Sequence, residues 1–196
     1  GEFRGSDDLE QAHLALAWPG LPLAHPDMFA AQIYSTALGG GMSSRLFQEA
    51  REKRGLCYAI HCFGQSFKDC GMFAVYAGTG ADQASELMAV IAGEMNALAA
   101  NPSDEEVRRA KAQLKAGLLM SLESPSSRCE QVAGMLWSHG RIVPLKELVE
   151  KLEAVTPADV GRYAQSVTRN GALSLAALGP LNKLEPYGKI AARFAA

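Results

Sequence analysis

The sequence predicts an α+β fold, a mainly antiparallel sheet with several helices packed on one face, and three observations carry that expectation. Short apolar runs stand near both ends of the chain, at HLALAW (13–18) and ALSLAAL (172–178). Two further strand-like stretches, 57–67 and 72–78, are joined only by KDCG, and so short a link makes them an antiparallel hairpin. Between that hairpin and the last run, apolar residues recur at helical spacing.

Each element has its own signal. HLALAW is closed by Pro19-Gly20, as a strand is closed by a turn. Pro26 suits a first helical position, and Met28, Ala31, Tyr34 and Leu38 form a helical stripe. Gly39-Gly40-Gly41 ends this helix, with glycine expected to take the left-handed cap. Ser43 or Ser44 then caps a second helix that runs to about Lys53 and stops at Gly55. After the hairpin, Leu87, Met88, Ile91, Met95 and Leu98 mark a helix from Ala84. Ser103 with Glu106 makes a capping box for the next, which carries Val107, Ala110, Leu114 and Leu118. Ser124-Pro125 begins another that ends near Gly140, Pro144 opens a short one, and Thr156-Pro157 opens the last, through Val160, Tyr163 and Val167. The resulting order is β-α-α-β-β-α-α-α-α-α-β. No repeat or low-complexity linker interrupts it, so residues 1–196 are expected to form a single domain.

Composition narrows the function. A chain of 196 residues can bury a real core, and 48% hydrophobic with 20% charged residues is ordinary for a soluble globular protein. A net charge of −2 gives no basis for a nucleic-acid or anionic-membrane partner. No apolar run approaches the roughly 18 residues that a membrane span requires. GEFRGSDDLEQ has neither the basic head nor the apolar stretch of a signal peptide. Four cysteines are too few for a disulfide-framed scaffold of this length, so free thiols and a cytoplasmic or equivalent reducing compartment are expected. The chain already reads as a strand by Leu14, which fits a piece of a longer protein, although Gly1 could equally be a tag remnant.

Metal chemistry has little to work with. Helical zinc hydrolases need two histidines four apart on one helix face with a glutamate base, and none of His13, His25, His61 and His139 has a histidine partner at that distance. Cys57, His61, Cys62 and Cys70 invite a zinc reading. On one strand, however, Cys57 and His61 would share a face while Cys62 takes the other, so buried thiols are the expected outcome. A Cys–His nucleophile pair lacks a third, orienting residue. The GGG-MSSR stretch has neither GxxxxGK[ST] nor GxGxxG. Gly39, Gly40 and Gly41 therefore read as a helix–helix linker, with a loop that lets a substrate backbone pass closely as the alternative.

The stretch REKRGLCY (51–58) is harder to dismiss. A solvated helix end accounts for Glu49, Glu52, Lys53 and Arg54, and Arg45 belongs to the same charged face. Arg51 and Tyr58 lie on either side of Gly55, where a helix–Gly–strand corner brings a guanidinium and a phenol to one edge. Two such donors suit a developing oxyanion or the carbonyls of an extended peptide.

LGGGMSSRLFQEAREKRGLCYAI, followed by DCGMFAVYAGT, resembles the C-terminal domain of pitrilysin/insulinase-type zinc peptidases in their mitochondrial-processing-peptidase-like branch. The similarity continues through NPSDEEVRRAKAQLKAGLLMSLES and VTPADVGRYA to ALGP, nearly the whole chain. The resemblance implies two homologous α+β halves around a chamber. Zn2+ is held by HxxEH in an N-terminal half, and the C-terminal half has no metal of its own. It implies that Arg51 and Tyr58 hydrogen-bond the substrate carbonyl or the tetrahedral intermediate. The expected partners are a peptide substrate and the N-terminal half or a homologous subunit, with self-association into a homodimer through the surface left uncovered. Alone, residues 1–196 are expected to be inactive. The alternatives are a non-catalytic partner or scaffold subunit of the same fold, and an unrelated α+β enzyme using Cys57 or His61.

Overall fold

The structure is a computed structural model and describes residues 1–169 and 173–194. A five-stranded sheet has the order β1-β5-β2-β4-β3, with β1 Glu2–Ser6, β2 Ala12–Gly20, β3 Ala59–Ser66, β4 Gly71–Thr79 and β5 Ser174–Gly179. All pairings are antiparallel except that of β1 with β5. Alternation decides which face is covered. Leu14, Leu16 and Trp18 of β2, Phe73, Val75 and Ala77 of β4, Leu175 and Ala177 of β5, and Ile60 and Cys62 of β3 are all buried.

Helices cover that face. The first, α1 (Met28–Gly39), packs against β3 and against α3 (Asp104–Ser121) and α6 (Pro157–Arg169). The second, α2 (Ala84–Ala100), packs against α6 and α7 (Tyr187–Phe194). Tyr34 sits at the centre of the core, its ring 5.2 Å from Phe73 and 5.6 Å from Tyr163. By contrast α4 (Pro125–His139) buries none of its residues, while α5 (Leu145–Ala154) returns to the body through Leu152.

The helix signals hold in detail. Ser103 and Glu106 form a reciprocal capping box on α3. Ser124 caps α4, with Pro125 in its first turn and left-handed Gly140 at its end. Three expectations need correction. Gly40, the C-cap of α1, has φ −86°, and no glycine of the Gly39–Gly41 run is left-handed. The charged helix begins without a serine cap, because the Ser44 hydroxyl donates back to the Gly41 carbonyl at 2.6 Å. Its main body, Phe47–Glu52, is π-helical rather than α-helical.

Two elements lay outside the expected order. β1 is only partly buried and short, and α7 is eight residues long. Each is stabilised by tertiary contact, α7 for instance by Phe194 meeting the Trp18 ring at 5.2 Å. Of the expected run 172–178, Ala172 lies outside the described residues, and the strand begins at Ser174.

Candidate functional site

The corner between the charged helix and β3 is built from its buried side outward. Leu46 and Ala50 are fully buried and hold the turn to the core. Its hydrogen bonds are wide: Lys53 N–H donates to the Gln48 carbonyl at 3.0 Å, and Leu56 N–H donates to the Ala50 carbonyl at 2.8 Å. A π-helical turn is uncommon and is found often at functional sites. Gly55, at φ +62°, reverses the chain, a conformation that strains any residue with a Cβ. The chain beyond it is tied down at once. The Thr79 hydroxyl, in a fully buried residue, donates to the Leu56 carbonyl at 2.5 Å, and Tyr58 N–H donates to the Gly78 carbonyl at 2.9 Å.

The charges of this corner divide into paired and unpaired. Glu49 takes both Lys53 and Arg54, and these bonds hold its carboxyl below its usual range. Among the described residues Arg51 is in none of the segment's ion pairs. Its guanidinium lies over the Phe47 ring, 4.6 Å from the centroid. Tyr58 stands 68% exposed. Arg51 and Tyr58 therefore sit at the two ends of one rigid corner, both facing solvent. Tyr58 immediately precedes β3, an edge strand of the sheet among the described residues.

Arg45 was grouped with the solvated charges, and the structure corrects this. Its Nε and Nη2 donate to both carboxylate oxygens of Glu106, at 2.5 and 2.9 Å, and Nη2 also reaches the Asn101 carbonyl at 3.3 Å. Glu94 lies 3.9 Å from Nη1. The bond from Arg45 lowers the Glu106 carboxyl to about 2, with help from Ser103. Nothing in the local pattern marks Arg45 apart from its neighbours. The legible half of the pair was Glu106, through the capping box.

Gly39, Gly40 and Gly41 lie beside the corner, and two of them answer to the protein's own packing. A Cβ on Gly39 would come within 2.5 Å of the Cys62 sulfur and 2.6 Å of its backbone nitrogen. One on Gly40 would come within 2.6 Å of Thr36 Cα. Gly41 is exposed and has room. The Gln113 side chain donates to the Gly40 carbonyl at 2.8 Å and ties the run to α3.

Neither cysteine beside the corner is presented to solvent. Cys57 and Cys62 are both buried and His61 is exposed, because β3 starts at Ala59 and Cys57 precedes the alternation that was assumed to include it. Burial pushes both thiols up, and for Cys57 the Arg51 guanidinium pulls the other way. No group of three or more His, Cys, Asp or Glu among the described residues could hold a metal ion. His13 Nδ1 and the Tyr76 hydroxyl are 2.7 Å apart on the open face of the sheet, and the His61 ring is 5.1 Å from that of Tyr76. No helix among the described residues is long and apolar enough to cross a membrane.

Comparison with known proteins places the chain in a family. Residues 2–114 match the family model described as the Peptidase M16 inactive domain. An uncharacterized zinc protease of Streptomyces coelicolor is 36% identical over 88% of this chain and 38% of its own length. The uncharacterized zinc protease YmxG of Bacillus subtilis is 35% identical over 86% of this chain and 42% of its own. The beta subunit of the mouse mitochondrial-processing peptidase is 29% identical over 96% and 40%. The chain thus spans about two fifths of the length of these relatives. A chain of Complex III2 from Candida albicans has the same fold, with a TM-score of 0.90 at 24% identity, over 100% of this chain and 49% of that one. On the family match and these identities, the chain belongs to the inactive-domain family of the M16 peptidases.

Proposed function

We propose that this chain is the C-terminal substrate-binding domain of a zinc metalloendopeptidase that hydrolyses peptides, and that it supplies Arg51 and Tyr58 to the active site. In this reading the zinc is bound in an N-terminal half bearing HxxEH or in a homologous subunit, as the zinc-protease names of the relatives support. The observation that carries the reading is the corner itself. A π-helical turn and a left-handed glycine hold a guanidinium that makes no ion pair among the described residues and an exposed phenol at its two ends.

The chemistry assigned to this chain is binding and charge stabilisation. Arg51 and Tyr58 donate hydrogen bonds to the carbonyl oxygen of the scissile peptide, and those bonds strengthen as the oxygen gains negative charge. An extended substrate lies along β3, whose outer edge has no strand beside it among the described residues, and edge pairing gives sequence-tolerant affinity. Gly41, exposed and without neighbours closer than Gln113, is where a substrate backbone passes. Residues 1–196 alone are inert in this scheme.

The test is Tyr58→Phe in the full-length protein. Peptide hydrolysis is expected to fall about 100-fold in kcat, with bound zinc unchanged. An unaltered rate removes Tyr58 from the mechanism. A full-length protein that never cleaves peptides but activates a separate subunit would instead identify a non-catalytic partner of the same fold.

A further inference from the structure

Arg45 and Phe47 are absorbed by neither the core nor the site, yet both bear on Arg51. Arg45 is half-buried and spends three of its N–H groups on α3 and the loop before it. Its acceptor, Glu106, is itself fixed, because its carboxylate also takes the Ser103 backbone N–H at 3.1 Å and the Ser103 hydroxyl at 2.6 Å. The start of the π-helical turn is therefore bolted to the N-terminus of another helix. Two residues later, Phe47 presents the ring over which the Arg51 guanidinium lies. Leu46 and Ala50, on the inner side of the same turn, are fully buried and seat it against the core.

We propose that Arg45 and Phe47 are positioning residues for Arg51. The Arg45–Glu106 pair fixes the start of the turn, and the Phe47 ring fixes the guanidinium at its end. The proposal rests on the reading that Arg51 meets substrate. Its physical content is that Arg51 reaches the carbonyl already oriented, so the ordering cost of a long, exposed side chain falls outside the catalytic step. A lysine cannot replace Arg45, because it lacks the planar fork that grips both carboxylate oxygens. A leucine cannot replace Phe47, because it has no π face for the cation.

The experiment is a double-mutant cycle on the full-length protein, read as kcat and KM for one peptide and as Tm. Arg45→Lys and Phe47→Leu are each expected to lower kcat about tenfold with KM changed less than twofold. In an Arg51→Ala background each should change kcat by less than twofold, because the group they position is gone. Equal losses in both backgrounds would mean that the two residues act on the fold at large, and would overturn the proposal while leaving Arg51 in its role. Arg51→Ala without effect on kcat would take down the functional reading and the positioning together. A Tm lowered equally by Arg45→Lys in both backgrounds, with no recovery of the kcat difference, also counts against positioning.

Discussion

Gly39 and Tyr58 bound one continuous stretch whose two ends are under opposite demands. Towards the Gly39 end the key side chains are committed to packing. The glycine hydrogen faces the Cys62 sulfur, Leu46 and Ala50 are sealed in, and Arg45 is locked to Glu106. At the Tyr58 end the side chains are left open, with Arg51 unpaired and Tyr58 in solvent, while the backbone between them is pinned by Gly55 and Thr79. Rigid backbone with free side chains is what a binding site requires, and here the packed end provides the rigidity that the open end uses.

Three measurements can break or sharpen that contrast. The largest effect belongs to Gly39→Val, which forces two methyls into the space held by Cys62 and should destabilise the domain by about 3 kcal/mol in denaturant unfolding. A loss below about 0.5 kcal/mol would mean that α1 and β3 are not in close contact. The second concerns acid. Glu106 is depressed from 4.5 to about 2 in the fold, so its contribution is complete above the unfolded value and is lost as the pH falls through the folded one. Stability should therefore decline between about pH 4.5 and 2, and Glu106→Gln should flatten that decline. An unchanged slope in the variant would place the acid sensitivity elsewhere. The smallest effect is Gly55→Ala, about 1 kcal/mol from the left-handed backbone alone, since a Cβ there meets no atom within 4 Å. A neutral result would show that the corner relaxes and does not hold Tyr58 in place.

The sequence was most legible where a local pattern and a tertiary role coincide. The apolar run HLALAW, closed by Pro19-Gly20, reads as the strand that β2 is, and Ser103 with Glu106 announced a capping box that is present atom for atom. It was least legible where a residue's partner is distant along the chain. Arg45 meets Glu106 across 61 positions, and one guanidinium in a charged run looks like another until that distance closes. The glycine triplet misled for a related reason. A glycine can serve handedness or proximity, and only the approach of Cys62 decides that Gly39 serves proximity. The start of β3 is a local error of two residues, which was enough to put Cys57 on the wrong side of an alternation it does not join. Arg51 and Tyr58 were picked out by type and spacing. The structure adds that they stand exposed on either side of the Gly55 turn.

The π-helical turn at Phe47–Glu52 also makes this stretch sensitive to length. Such a turn holds one residue more than the α-helical turn it replaces, and each residue on a helix turns the following side chain by about 100°. Removing a single residue from 47–50 would let the helix relax into its commoner form without breaking the buried seam at Leu46. An insertion of one residue there has no wider turn to absorb it, and would swing Arg51 about a quarter-turn away from Phe47 and away from the edge beside Tyr58. Substitutions in this segment are graded in their effect and a deletion is absorbed by the wide turn, whereas a one-residue insertion acts as a switch.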